Sequence, residues 1–155
     1  YNGLFRVNSQ GQFNVPFGRY KNPNILNKAV LKAVHRYLNK NDAKILNEDF
    51  EIAVQAAKKG DFVYFDPPYD PVSDTASFTS YDINGFDQNE QKRLKKVYDR
   101  LTEKGVKCLL SNSATEFILD LYSNYKPILI VSASRNINSV AEKRGKVSEV
   151  LVKNW

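Results

Sequence analysis

The sequence predicts an α/β fold built on one open sheet, and three features lead to this expectation. From Ala43 onward, short apolar runs alternate with amphipathic stretches, as strands alternate with helices in such folds. The last two apolar runs are joined by a polar loop with no helical pattern, which favours an antiparallel hairpin at one edge. The 155 residues are enough for one domain with a core. We therefore expect a largely parallel sheet with helices on both faces.

The elements before this sheet are predicted to be a hairpin and a helix. The opening segment combines glycines, asparagines and aromatic residues in runs too short for a helix, which favours a hairpin or a long loop. Apolar residues then recur at helical spacing from Ile25 to Leu38, with Asn24 as a plausible cap. The sequence is accordingly divided into residues 1–40 and residues 41–155.

Strands and helices alternate in the second part. The runs predicted as strands are AKIL, FVYF, VKCLLS, KPILIVSA and VSEVLVKNW. Helices are predicted for EDFEIAVQAAKKG, for the stretch that Asp87 opens, and for TEFILDLYS. Glu90 follows Asp87 by three residues and forms a capping box with it, while Gly60 and Gly105 are expected to end the first two helices. The apolar face of the middle helix is predicted to comprise Leu94, Val97, Tyr98 and Leu101.

Composition excludes several classes of protein. No apolar run approaches the roughly 20 residues that a membrane-spanning helix needs, so no membrane association is expected. Cys108 is the only cysteine and His35 the only histidine, so neither a disulfide nor a metal site is expected, and a reducing cytoplasm is the expected compartment. The net charge of +6 is compatible with a polyanionic partner. The sequence has no methionine, even at position 1, and is therefore expected to be part of a longer protein.

The stretch FVYFDPPYDP places an acid, two prolines and an aromatic residue at the end of a predicted strand. In open α/β sheets, ligands bind beyond the carboxyl ends of the strands. The prolines fix φ and remove two N–H donors, so the carbonyl of Pro67 is held rigidly. Together with the Asp66 carboxylate it offers two acceptors, and Tyr69 offers a flat stacking face. This set suits the amino group of a planar heterocycle, whereas a simple rigid turn would account for the prolines alone.

On these motifs the chain resembles the DNA adenine methyltransferases of the Dam type. FVYFDPPYDPVSDTASFTSYDINGFDQNEQKRL is similar to the catalytic motif and following loop of that family, YNGLFRVNSQGQFNVPFGRYKNP to its target-recognition segment, and CLLSNS and SRNINS…KRGKVSEVLV to its later strands. The resemblance implies a Rossmann-like methyltransferase sheet with an inserted recognition segment, here residues 1–40, and makes residues 41–155 the carboxyl-terminal part of the catalytic domain. It also implies methyl transfer from S-adenosylmethionine to the amino group of a flipped-out adenine in duplex DNA, commonly at GATC.

The resemblance assigns a catalytic role to Asp66, Pro67, Pro68 and Tyr69. Asp66 and the Pro67 carbonyl would accept hydrogen bonds from the adenine amino group and stabilise the positive charge that develops on its nitrogen. Tyr69 would stack on the flipped base. Asp66 would also contact the cofactor, and the SFTSY stretch that follows is interpreted as a lid over the base.

The resemblance also places DNA contacts in the first segment. By position these are the wedge residues Tyr1 and Asn2, the base readers Leu4 and Arg6, the further contacts Pro16 and Tyr20, and the phosphate-binding residues Arg19 and Lys21. The chemistry is consistent, because arginine pairs with guanine O6 and N7 and an apolar side chain can contact a thymine methyl. Without the resemblance, the same residues would be interpreted as a solvated loop with packed aromatic rings.

One family motif has no counterpart in the sequence. The family binds its cofactor at a glycine-containing turn after the first strand, but the early glycines of this chain lie in the recognition segment. By resemblance, the cofactor motif, the first two strands and the acidic ribose contact would precede Tyr1, and the chain would need its own amino-terminal segment. Two functions stay open: part of an adenine methyltransferase, or a non-catalytic fragment that binds DNA or another partner.

Overall fold

The structure is a computed structural model that describes residues 6–15, 21–22, 25–72, 85–134 and 146–155. The chain divides into two compact units, Tyr1–Asn47 and Glu48–Trp155. The assignment of residues 1–40 to target recognition and of residues 41–155 to catalysis stays a prediction.

The described part of the first unit contains a tight antiparallel turn. Val7 and Phe13 form an antiparallel bridge across it. The Asn8 side chain accepts hydrogen bonds from the backbone N–H groups of Gln10 and Gln12 at 3.0 and 2.9 Å, which satisfies donors that have no strand partner. Gly11 has a φ of 75°, a conformation that glycine adopts without steric cost. The turn is thus stabilised mainly by its own residues.

In the described residues of this unit one helix follows, α1 (Lys28–Lys40). It begins at Asn27, whose side chain accepts a hydrogen bond from the Val30 N–H, so the expected cap at Asn24 is wrong. The predicted strand AKIL is also wrong, because residues 43–46 form no strand and Ile45 is 84% exposed. An apolar run forms a strand only where a neighbouring strand takes up its N–H and C=O groups.

The second unit contains three helices and a four-stranded sheet in the described residues. In chain order these elements are α2 (Phe50–Ala53), β1 (Phe62–Phe65), α3 (Gln88–Glu103), β2 (Lys107–Ser113), α4 (Glu116–Leu121), β3 (Leu129–Ser134) and β4 (Lys146–Lys153). The strand order is β1-β2-β4-β3. β1 and β2 are parallel, and β4 is antiparallel to both β2 and β3. The hairpin at the sheet edge is confirmed, but the sheet is only partly parallel, because its last strand returns between β2 and β3.

The core of this unit lies between the sheet and α3. The predicted apolar face of α3 is confirmed, since Leu94, Val97, Tyr98 and Leu101 are all at most 1% exposed. They pack with residues of β2, β4 and α4. Burial of a large apolar side chain contributes about 1.5–3 kcal/mol, so this face provides much of the stability. On β1, Phe62 and Tyr64 are 57% and 51% exposed. The helix expected on this face of the sheet is therefore not found over β1 in the described residues.

Local hydrogen bonds determine where α3 begins and how far α2 extends. Asp87 caps α3 as predicted, accepting hydrogen bonds from the N–H groups of Asn89 and Glu90. The helix predicted for EDFEIAVQAAKKG covers only four residues, Phe50–Ala53. Beyond it, the N–H of Ala57 bonds to the carbonyl of Val54, a shorter spacing that tightens the chain into turns.

An arginine on α3 holds α2 in place. The Arg93 guanidinium bonds to the Asp49 carboxylate at 2.7 Å and lies 4.0 Å from the centre of the Phe50 ring. The hydrogen bond from Arg93 is the main reason why the pKa of Asp49 is lowered to about 2.

No described helix is long and apolar enough to cross a membrane.

Candidate active site

The residues after β1 meet those at the end of β2. The two strands are parallel and in register, with Phe65 beside Leu110. Their carboxyl ends therefore share one edge of the sheet, where Asp66 faces the polar run Ser111 to Ser113. The segment Asp66 to Asp70 is called the catalytic corner below.

The Asp66 carboxylate is held by a chain of two hydroxyl groups. Ser111 donates from Oγ to Asp66 Oδ1 at 2.9 Å, and the Tyr64 hydroxyl lies 2.9 Å from the same Oγ. Ser111 has one proton, which it gives to the carboxylate, so Tyr64 donates to Ser111. Asp66 itself is exposed, whereas Ser111 is only 3% exposed. Ser111 therefore orients the carboxylate from its buried side, and the exposed side of the carboxylate is accessible to a ligand.

Tyr69 lies close to this carboxylate. Burial is the main cause that raises the pKa of its phenol. The negative charges of Asp66 and Glu149 raise the pKa further. The half-buried ring of Tyr69 is thus next to the group that would accept the amino hydrogens.

Beneath the corner lies a polar cluster that the sequence analysis missed. The Asp70 N–H donates to Asn112 Oδ1 at 2.9 Å, and the Asp70 carboxylate accepts from Thr115 Oγ1 at 2.6 Å. Gln91 Nε2 donates to the Pro68 carbonyl at 2.9 Å. Gln91 could have been recognised from the sequence, because it is a polar residue on the buried stripe of α3.

An apolar cavity of about 310 Å³ adjoins the corner. Its lining includes the apolar side chains of Val54, Phe65 and Leu94, together with Asp66 and Pro67. A ligand in this cavity would contact apolar surface on one side and an exposed carboxylate on the other. In the part of the chain that the structure describes, no group of three or more His, Cys, Asp or Glu side chains is placed to hold a metal ion.

A known protein family matches most of this chain. The model of the D12 class N6 adenine-specific DNA methyltransferase family matches residues 1–137. The chain belongs to this family. The resemblance to Dam-type methyltransferases is therefore confirmed.

Individual relatives match all or nearly all of this chain. The type II methyltransferase M1.LlaDCHI of Lactococcus lactis subsp. cremoris is 47% identical over 155 residues, which cover 100% of this chain and 54% of the relative. M.MjaIII of Methanocaldococcus jannaschii, also a type II methyltransferase, is 46% identical over 157 residues, covering 100% and 53%. The DNA adenine methylase of Escherichia coli K12 is 36% identical over 151 residues, covering 97% and 53%. The chain thus spans about half the length of these relatives.

The structure describes only some of the residues expected to contact DNA. Arg6 bonds across the turn of the first unit, from Nε to Asn14 Oδ1 at 2.9 Å and from Nη2 to the Asn14 carbonyl at 3.1 Å. Lys21 is exposed. The other predicted contacts and the SFTSY stretch lie outside the described residues; these contacts are Tyr1, Asn2, Leu4, Pro16, Arg19 and Tyr20.

Proposed function

We propose that this methyltransferase methylates the exocyclic amino group of adenine in duplex DNA, with S-adenosylmethionine as donor. The observation that carries the proposal is the exposed Asp66 carboxylate, oriented by Ser111 at the carboxyl end of a parallel strand and followed directly by two prolines. Membership of an N6 adenine-specific family supports the same reaction.

The chemistry follows from the two acceptors of the corner. The lone pair of the adenine amino group is delocalised into the ring, which makes the nitrogen a weak nucleophile. Hydrogen bonds from both amino hydrogens, to Asp66 and to the Pro67 carbonyl, return electron density to the nitrogen and stabilise its developing positive charge. Tyr69 stacks on the base and holds the amino group in place. The methylated nitrogen would release its extra proton to water after the transfer, so Asp66 acts in this scheme as an acceptor and an electrostatic partner rather than as a strong base.

The residues present fit one edge of the methyl donor. The apolar cavity beside the corner suits the apolar part of such a ligand, and the Asp66 carboxylate in its wall suits a hydrogen-bond donor or a cationic group. S-adenosylmethionine, when bound, supplies an electrophilic methyl group. We assign Asp66 as its contact on this chain.

We further propose that the first unit recognises the target, which we infer to be GATC, with the adenine flipped out of the duplex. Arg6 would leave Asn14 and pair with a guanine, and Leu4 would contact a thymine methyl. Tyr1 and Asn2 would fill the space beside the flipped base. Pro16 and Tyr20 provide further contacts, and Arg19 and Lys21 bind phosphates.

A second candidate is a non-catalytic fragment that binds DNA or another partner. The net charge of +6 and the exposed side chains of Arg6 and Lys21 are compatible with such binding. For this second candidate we expect the 155-residue chain to bind S-adenosylmethionine poorly. Calorimetric titration of the cofactor into the chain tests this. Binding at micromolar concentrations would reject the expectation.

The proposed reaction is tested by its product. An active preparation containing this chain is incubated with methyl-labelled cofactor and a duplex holding one GATC site, and the nucleosides are then separated by mass. We expect label in N6-methyladenine only, and none with a duplex in which that site is already methylated on both strands. Label in cytosine, or no label with any duplex, would contradict the proposal.

A further inference from the structure

Two buried side-chain amides close a hydrogen-bonded ring on the backbone of the catalytic corner. The Asp70 N–H donates to Asn112 Oδ1 at 2.9 Å, Asn112 Nδ2 donates to Gln91 Oε1 at 3.1 Å, and Gln91 Nε2 donates to the Pro68 carbonyl at 2.9 Å. The two backbone groups fix the direction of the chain of bonds. Asn112 must turn its oxygen towards the Asp70 N–H, which leaves its NH₂ group for Gln91 and the NH₂ group of Gln91 for Pro68.

The ring holds the two peptide groups on either side of Tyr69. The Pro68 carbonyl belongs to the peptide that precedes Tyr69, and the Asp70 N–H belongs to the peptide that follows it. The φ and ψ angles of Tyr69 are rotations of these two planes about its Cα atom. With both planes held, the Cα–Cβ direction of Tyr69 is held as well, which fixes the point and direction from which the aromatic ring projects.

The burial of both amides indicates that this arrangement has a specific role. Gln91 and Asn112 are 0% exposed, and a buried polar group is unfavourable unless it is hydrogen-bonded. At position 91 of the α3 stripe an apolar side chain would pack without that requirement. The ring is also anchored on both sides, because Asn112 Oδ1 accepts from the Ser113 N–H at 2.8 Å and Asp70 accepts from Thr115.

We propose that Gln91 and Asn112 are positioning residues for methyl transfer, acting through the backbone of Tyr69. This inference rests on the proposed function, in which Tyr69 stacks on the target adenine. Neither amide touches substrate. Their effect is to keep the stacking ring and the neighbouring acceptors in one geometry while the amino group reacts.

The test uses Gln91→Met, which keeps a similar length and volume and removes both hydrogen bonds of the side chain. The matched control is Asn154→Leu at the opposite end of β2. Asn154 Oδ1 accepts from the Cys108 N–H at 2.8 Å and its Nδ2 donates to the Val106 carbonyl at 2.9 Å, so this amide also joins a backbone donor to a backbone acceptor. Both variants are made in the active preparation, and kcat, Kd for duplex DNA and Tm are measured.

We expect Gln91→Met to lower kcat by about ten- to a hundredfold, as small misplacements of reacting groups do, with Kd for duplex changed less than about twofold. Asn154→Leu should lower Tm at least as much without lowering kcat. Because Gln91 and Asn112 act in one ring, Gln91→Met combined with Asn112→Ala should lower kcat no further than the worse single variant. The inference is overturned if Gln91→Met keeps kcat within about twofold, if the control loses kcat equally, or if the two losses multiply.

A failure of the proposed function would be seen separately. If the unsubstituted protein forms no N6-methyladenine, the reaction assigned above is wrong, and the ring is judged by hydrogen–deuterium exchange at the Asp70 amide. Faster exchange in Gln91→Met than in Asn154→Leu supports the holding of Tyr69 by the ring. Equal exchange in the two variants rejects it.

Discussion

The catalytic corner and the turn of the first unit are stabilised in opposite ways. The corner is held by side chains far away in sequence, as in the bonds from the Asp70 N–H to Asn112 and from Gln91 to the Pro68 carbonyl, and these side chains are buried. The turn is held by near neighbours, such as Asn8 with Gln12 and Arg6 with Asn14, in bonds that are exposed.

The difference matches the demands of the two proposed tasks. Methyl transfer needs acceptors in a fixed geometry, and buried long-range bonds open only when the core opens. Reading a base needs a side chain that can reach a groove, and exposed local bonds are exchanged for DNA at little cost. The following predictions would break or sharpen this contrast, from the largest expected effect to the smallest.

Asp66→Ala should abolish methylation and leave duplex binding nearly unchanged. The carboxylate stabilises charge that develops only in the transition state, so kcat should fall by about a thousandfold or more. The matched control is Asp61→Ala, since Asp61 directly precedes β1 whereas Asp66 directly follows it. Single-turnover assays and duplex titrations measure both effects. Activity of Asp66→Ala within tenfold of the unsubstituted protein would show that the catalytic assignment is wrong.

Ser111→Ala should lower kcat less, by about ten- to a hundredfold, which corresponds to one hydrogen bond to a charged group. Tyr64→Phe removes only the second bond of the hydroxyl chain and should have a smaller effect in the same direction. The order of the three rates, unsubstituted above Tyr64→Phe above Ser111→Ala, is the result to look for at saturating duplex. The reverse order would mean that the hydroxyl chain does not orient Asp66.

Sequence patterns were sufficient where local chemistry decides the structure. Asp87 caps α3 because its side chain reaches the next N–H groups, and Leu94 and Tyr98 are buried because their spacing places them on one face. The edge hairpin followed from a loop with no helical pattern. The site motif was found for the same reason, since an acid, two prolines and a tyrosine lie next to one another.

Features that depend on distant partners were not predicted. AKIL has the composition of a strand but forms none, and Ile45 is exposed. Gln91 bonds to Pro68 across 23 positions, and no local pattern reveals which carbonyl a buried amide will reach. The bond from Ser111 to Asp66 likewise depends on the register of β1 and β2. The support of the corner is therefore a tertiary property, whereas its motif is a local one.

Arg6→Ala should reduce discrimination at one guanine by about 1–3 kcal/mol, the value of a bidentate base contact. Lys21→Ala should instead weaken binding to all duplexes alike and make the dependence of affinity on salt less steep. Affinities for GATC and for single-mismatch duplexes, each at several salt concentrations, separate the two effects. If both variants lose affinity equally on every duplex, the division into base readers and phosphate binders is incorrect.

The smallest effect concerns two buried tyrosines in the core beneath the sheet. The rings of Tyr98 and Tyr122 meet edge to face, 5.5 Å apart. The Tyr98 hydroxyl donates to the carbonyls of Cys108 and Val152 at 3.0 and 3.3 Å, whereas the Tyr122 hydroxyl has no hydrogen-bond partner among the described residues. Burial is the main cause that raises the pKa of both phenols, so both stay neutral at physiological pH.

Removing these hydroxyls should therefore have opposite consequences. Tyr98→Phe removes a buried hydroxyl donor, although the Cys108 carbonyl still accepts from the Asn154 N–H at 3.3 Å, and should lower the free energy of unfolding by about 0.5–1.5 kcal/mol. Tyr122→Phe removes an unpaired hydroxyl and should leave stability unchanged or raise it by up to about 1 kcal/mol. Urea unfolding of both variants compares the two values. Neither change should alter the exchange of the Asp70 amide under native conditions, because the ring that holds the corner is intact in both. Faster exchange of the Asp70 amide in Tyr98→Phe would show that the corner depends on the whole core rather than on its own buried amides.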